Sequence, residues 1–169
     1  MSFYKLRRVT ISGRQTGYLD DIDKYTRLIY LKCSYNKLTN LDNLPPTLID
    51  LDCSWNELTS LDNLPPNLRE LICYCNKITS LDNLPLNLQI LDCQDNKITS
   101  LDNLPPNLQE LNCDCNQLTN LDNLPQLFKL RCCDNNITSL DYLPHSLRYL
   151  VCDYDKLRNY DNLPPYLCY

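Results

Sequence analysis

Apolar and polar positions recur along this chain with a fixed spacing. LDNLPPTLIDLDCSWNELTS (41–60), LDNLPPNLRELICYCNKITS (61–80), LDNLPLNLQILDCQDNKITS (81–100) and LDNLPPNLQELNCDCNQLTN (101–120) follow one another without a gap. In the 61–80 unit Leu68, Leu71 and Cys73 alternate with outward places, which predicts a short strand of period two. Ile78, Leu81 and Leu84 complete the inward set of the same unit. A unit this short buries its apolar residues only by stacking on its neighbours, so the pattern predicts a solenoid.

Copies at 19–40, 121–139 and 140–159 flank the four, and a partial copy occupies 160–169. Residues 1–18 resemble a worn unit, because Leu6, Val9, Ile11 and Leu19 fall where Leu108, Leu111, Cys113 and Leu121 fall. Terminal repeats are usually atypical. The expected organisation is an N-terminal capping region, 1–18, followed by a repeat array, 19–169. No comparable cap is visible at the other end, and an uncovered coil there would favour pairing with a second copy of the chain.

The order L-x-x-L-x-C-x-x-N-x-L/I resembles the leucine-rich-repeat signature. The 20-residue unit and its Leu-Pro pair are similar to the short bacterial effector class, with Asp-Asn where that class commonly carries Pro-Glu. The abundance of Asn, Tyr and Cys in near-identical copies also resembles repeat arrays of giant amoeba-infecting, mimivirus-like DNA viruses. The resemblance implies a mainly β repeat solenoid, a right-handed superhelix with little or no α-helix. Its parallel β-sheet would line the concave face, and its convex face would be extended, polyproline-like or 3₁₀. Such proteins commonly bind other proteins on the concave sheet.

Three polar columns accompany the apolar ones. Asn36, Asn56, Asn76, Asn96, Asn116 and Asn135, with Asp155 as the departure, are expected to satisfy backbone groups where each strand turns away. The prolines at 45, 65, 85, 105, 125, 144 and 164 fix φ and remove a donor, which disfavours helix on the back. Asp42, Asp62, Asp82, Asp102, Asp122, Asp141 and Asp161 precede that segment and are expected to cap its turn by bonding nearby amides.

Of eleven cysteines, Cys33, Cys53, Cys73, Cys93, Cys113, Cys132 and Cys152 share one inward place and predict a buried column of reduced thiols. Cys75, Cys115, Cys133 and Cys168 are expected to be partly exposed, with oxidation their main chemistry. The Cys73/Cys75 and Cys113/Cys115 pairs place one sulfur inward and one outward, and His145 is the single histidine, so structural zinc is not expected. Only Gly13 and Gly17 occur, too few for a phosphate-cradling loop, and no base accompanies a nucleophile. The expectation is a non-enzyme without cofactor or metal.

The net charge of -5 argues against a nucleic-acid ligand. Nothing approaches the roughly 20 apolar residues of a membrane span, and the N-terminus lacks a secretory apolar run, so an intracellular, cytoplasmic location is expected.

Against the uniform inward columns, the outward strand places vary. One column comprises Tyr30, Asp50, Glu70, Ile90, Glu110, Lys129 and Tyr149; the other Lys32, Asp52, Ile72, Asp92, Asn112, Arg131 and Val151. Just beyond lie Tyr35, Trp55 and Tyr74. Aromatics on a rigid face bring contact area at small entropic cost, which makes Trp55 the first choice of anchor. The expected partner-binding residues are Tyr30, Asp50, Asp52, Trp55, Glu70, Tyr74, Asp92, Glu110, Arg131 and Tyr149. The acidic middle predicts a protein partner with a basic surface.

Overall fold

The computed structural model describes residues 5–156 and 163–167. Each described coil contributes one three-residue strand: β1 Arg8–Thr10, β2 Tyr30–Lys32, β3 Asp50–Asp52, β4 Glu70–Ile72, β5 Ile90–Asp92, β6 Glu110–Asn112, β7 Lys129–Arg131 and β8 Tyr149–Val151. They form one parallel sheet in chain order, β1 to β8. Register is strict: Leu31, Leu51, Leu71, Leu91, Leu111, Leu130 and Leu150 pair successively. The first strand falls within the expected capping region, and its Val9 pairs with Leu31.

The core is a stack of identical layers. Leu68, Leu71, Cys73 and Ile78 are fully buried, and Leu81 nearly so, as are their equivalents in neighbouring coils. Short 3₁₀ turns at Ile22–Lys24 and Tyr154–Lys156 are the helical elements with given bounds. On the back, the proline carbonyl closes a turn: the Leu48, Leu68, Leu88 and Leu108 amides donate to Pro45, Pro65, Pro85 and Pro105. A second ladder joins coils past the sheet, with Lys77 N donating to Leu58 O at 2.8 Å and Lys97 N to Ile78 O at 2.9 Å.

Between these ladders runs the asparagine column. Asn96 Nδ2 donates to the carbonyls of Cys73, Cys93 and Gln94, while its Oδ1 accepts from the Ile78 amide at 2.9 Å. Asn56, Asn76, Asn116 and Asn135 repeat the pattern. The amide therefore bridges two coils and satisfies groups no strand reaches. Asp155, whose carboxylate has no donors, lies instead in the 3₁₀ turn Tyr154–Lys156.

The aspartate column behaves differently from expectation. The turn is capped by the residue two places earlier: Ser80 Oγ accepts from Asp82 N, and Asn40 Oδ1 from Asp42 N. The carboxylates of Asp82 and Asp102 accept from the hydroxyls of Ser80 and Ser100 and from Asn103 and Asn123 of the next coil. The serine or asparagine is the one placed to reach an amide two residues ahead, leaving the aspartate to face sideways along the stack. Asp161 lies outside the described residues.

From 19 to 139 two residues per coil adopt the left-handed conformation without being glycine, and after Asp134 only Tyr142 does so among the described residues. One column is Tyr35, Trp55, Cys75, Asp95, Cys115 and Asp134, with φ between 53° and 57°; the other is Asn43, Asn63, Asn83, Asn103 and Asn123, with φ between 60° and 65°. Asparagine tolerates this region better than most side chains, which accounts for its uniformity in the second column.

Candidate protein-binding face

The register that aligns the leucines also aligns the residues between them. Tyr30, Asp50, Glu70, Ile90, Glu110, Lys129 and Tyr149 pair successively as one row, and Lys32, Asp52, Ile72, Asp92, Asn112, Arg131 and Val151 as another. The structure thus brings most of the expected contact residues onto one face of the sheet.

Of these, Asp52 alone departs from the expected exposure. Asp52 is not an exposed contact: it is only 7% accessible, and it accepts from Ser54 Oγ at 2.6 Å and from Lys32 Nζ at 2.7 Å. The Ser54 amide adds a further bond, so the carboxylate organises the turn after β3. Arg131 is likewise engaged, its Nε and terminal nitrogen lying 2.9 and 2.7 Å from Asp114, a buried carboxylate that also accepts from Cys133 N. Tyr74 is half-buried. Positional pattern alone does not separate an outward carboxylate from one folded back onto a turn.

What remains acidic is the central strip. None of Asp50, Glu70 and Asp92 forms an ion pair among the described residues, while Glu110 meets Lys129 at 3.5 Å. Burial, reinforced by Asp50 and Glu110, raises the Glu70 carboxyl above its ordinary value. Burial also raises Asp92, partly offset by bonds from the Gln94 amide and Asn112. Like charges facing across neighbouring strands cost stability unless something opposes them.

A cleft of about 140 Å³ opens on this strip, lined by Ile90, Asp92, Glu110, Asn112, Lys129 and Arg131 with the backbone of Leu91 and Leu111 beneath. Aromatic residues lie toward both ends of the sheet. Tyr35 and Trp55, each about half exposed, stack at 5.4 Å with planes 10° apart, on the turn beyond the sheet rather than on the strands. Tyr30 carries the Arg8 guanidinium over its ring at 4.4 Å. At the other end Tyr149 meets Phe128 edge-on at 5.2 Å.

Sequence reasoning missed Phe128. It occupies the place just before the strand, where Ile29, Ile49, Arg69, Gln89 and Arg148 stand in other coils, and that variation was the available signal. Ile29, Ile49 and Arg69, with Thr47, Asn67 and Asn87, line a wider depression of about 430 Å³ on the flank.

Cys33, Cys53, Cys73, Cys93, Cys113 and Cys132 are buried, as expected, but Cys152 is only half-buried. It is the last member of the column. Cys75 and Cys133 are intermediate and Cys115 exposed; Cys168 lies outside the described residues. Among the described residues no group of three or more His, Cys, Asp or Glu side chains is arranged to hold a metal. No helix there is long and apolar enough to cross a membrane.

The family described as Leucine Rich repeats (2 copies) matches residues 86–126. YopM, a leucine-rich effector protein from Yersinia pestis, superposes with a TM-score of 0.86 at 29% identity, covering 97% of this chain and 47% of that one. The chain is a leucine-rich-repeat protein. YopM from Yersinia enterocolitica is 34% identical over 84% of this leucine-rich-repeat chain and 36% of its own length, with a TM-score of 0.65. The functional domain of InlJ from Listeria monocytogenes, which includes a cysteine ladder, is 28% identical, with a TM-score of 0.64 over 92% of this chain and 46% of that one. The chain therefore spans less than half of each of these three. All three are bacterial, and the viral resemblance of the composition has no counterpart among them. A comparison with curated proteins finds no match. Leucine-rich-repeat domains of this effector-like kind are generally protein-interaction modules, typically without catalytic activity.

Proposed function

We propose that the protein binds a partner protein through the outer face of its sheet, the face that is concave in this family, and that it performs no catalysis. The observation that carries this reading is the contrast between columns. Inward positions repeat leucine, cysteine and asparagine, whereas the outward rows change chemistry at nearly every coil and lie on a backbone held in strict register. A rigid face loses little entropy on binding.

The partner presents basic residues to Asp50, Glu70, Asp92 and the cleft between β5 and β7, and apolar surface to Trp55 or Tyr149. The effector-like repeat supports placing that partner in a host cell. The test is capture from such a lysate by the wild-type chain and by a Trp55→Ala, Asp92→Lys, Glu110→Lys variant with an unchanged circular dichroism spectrum. A protein retained by wild type alone, with retention falling as salt rises, supports the reading. Equal retention by both chains sinks it.

A further inference from the structure

The seven inward cysteines share a place in the repeat but not an environment. Cys93 and Cys113 donate their thiols to the next strand's carbonyl, Asn112 O at 3.3 Å and Arg131 O at 3.2 Å. For Cys132 the equivalent contact, to Val151 O, lengthens to 3.7 Å. Cys152 is the one member of the column that is not buried. A cavity of about 10 Å³, near the size of one water molecule, is lined by both cysteines together with Asn135, Ile137 and Asp153.

We propose that Cys132 and Cys152 are an oxidation site, in which a peroxide reacts at Cys152 and the pair closes into a reversible disulfide between the last two described coils. Arg131 and Val151, the residues just before them, are register partners. Neighbouring parallel strands lie ~4.8 Å apart, within the ~4.4–6.8 Å Cα separation that disulfides use.

The division of labour follows from exposure, since Cys152 is half-buried and Cys132 is only 2% accessible. Its neighbour Cys132 lowers Cys152 below its ordinary value. Cys152 in turn, with burial, raises Cys132. Cys152 is thus the attacking sulfur and Cys132 the resolving one. The more accessible thiols are poorer candidates: burial and the Asp95 carboxylate push Cys75 up to about 12, and burial with Asp114 pushes Cys133 up to about 11. Cys115 is raised too, by burial and Asp134.

In the first step the Cys152 thiolate attacks one oxygen of hydrogen peroxide. The O–O bond breaks, leaving Cys152 sulfenic acid and a hydroxide that takes up a proton to become water. The Cys132 sulfur then attacks the Cys152 sulfur, forming the S–S bond. The sulfenic oxygen departs with the Cys132 proton as a second water. Two thiols are oxidised to one disulfide, and one peroxide is reduced to two waters.

The test treats the folded full chain with a slight excess of hydrogen peroxide, blocks remaining thiols, and maps tryptic peptides. Cleavage after Arg131, Arg148 and Lys156 puts Cys132 and Cys133 on one peptide, 132–148, and Cys152 on another, 149–156. The expected product joins these two, persists in Cys133→Ser, disappears in Cys152→Ser, and is lost on treatment with dithiothreitol. If Cys133→Ser does not fold, fragmentation of the joined wild-type peptides assigns the sulfur. A bridge through Cys133 or Cys168, a Cys152 carried only to sulfinic or sulfonic acid, or faster oxidation of Cys75 or Cys115 overturns the assignment.

Discussion

Replacing Asn96 with alanine tests the idea that the amide column, as well as the leucine layers, holds the coils together. The substitution removes four hydrogen bonds, three donated to Cys73, Cys93 and Gln94 carbonyls and one accepted from the Ile78 amide. They are not equivalent losses. The Cys73 carbonyl keeps the amide of Asn76, and the Cys93 carbonyl keeps that of Asn116. The Ile78 N–H is left without its acceptor in a layer where Ile78 is fully inaccessible. A stranded buried donor costs ~1–3 kcal/mol, and weakening the shared carbonyl bonds adds roughly 1 kcal/mol, so the expected loss is about 3 kcal/mol. Urea unfolding followed by circular dichroism measures it, with the exposed neighbour Lys97→Ala as control, expected within about 0.5 kcal/mol of wild type. A loss for Asn96→Ala below about 1 kcal/mol, or one indistinguishable from the control, refutes the reasoning.

Two further outcomes follow from the charged and thiol groups. Arg131→Ala strands the buried Asp114 carboxylate with the Cys133 amide as its remaining bond from Cys133; because the arginine is itself partly exposed, the cost is about 2 kcal/mol rather than the full penalty of a dry pair, read as a shift in urea midpoint. Raising pH should destabilise the fold: Cys33 is pushed up to about 12 by burial from an ordinary 9.0, so the native thiol keeps its proton while the unfolded chain releases it. Stability from the column is therefore complete below about pH 9 and declines toward pH 12, a window in which replacing Cys33 by valine should flatten the profile; an alkaline unfolding profile identical in that variant would remove the thiols from the account.

How much of this was legible in the sequence depends on whether a position answers to its own coil or to its neighbours. Leu71, Cys73 and Asn76 are specified by period and by stacking, and both are visible in the repeated letters. Asp52 and Asp92 occupy the same letter of the repeat, yet one is buried on Ser54 and Lys32 and the other opens onto a cleft. Their difference lies in the adjoining coil and in the residue two places on, Ser54 against Gln94, which a column reading averages away. The capping of the back turn was misassigned for a related reason: the bond from Ser80 Oγ runs to a backbone amide, and the conspicuous aspartate drew the inference instead.

The left-handed columns bear on the outward rows, which vary from coil to coil. With glycine almost absent, the coils from 19 to 139 still turn twice through positive φ; Asp21 and five asparagines fill one turn, and Tyr35, Trp55, Cys75, Asp95, Cys115 and Asp134 fill the other. A left-handed residue other than glycine costs ~1–2 kcal/mol, so these side chains are retained against a local penalty. The layers of leucine and the asparagine bridges supply the opposing stability coil by coil, independent of what points outward. Trp55 and Tyr35 thus stand at a strained position, exposed and stacked on each other, where a smaller residue would be conformationally easier. The same conformation recurs at Cys75, Asp95, Cys115 and Asp134, so the strain belongs to the repeat, while the exposed aromatic pair is particular to the turns after β2 and β3, where the proposed recognition strip would have its aromatic end.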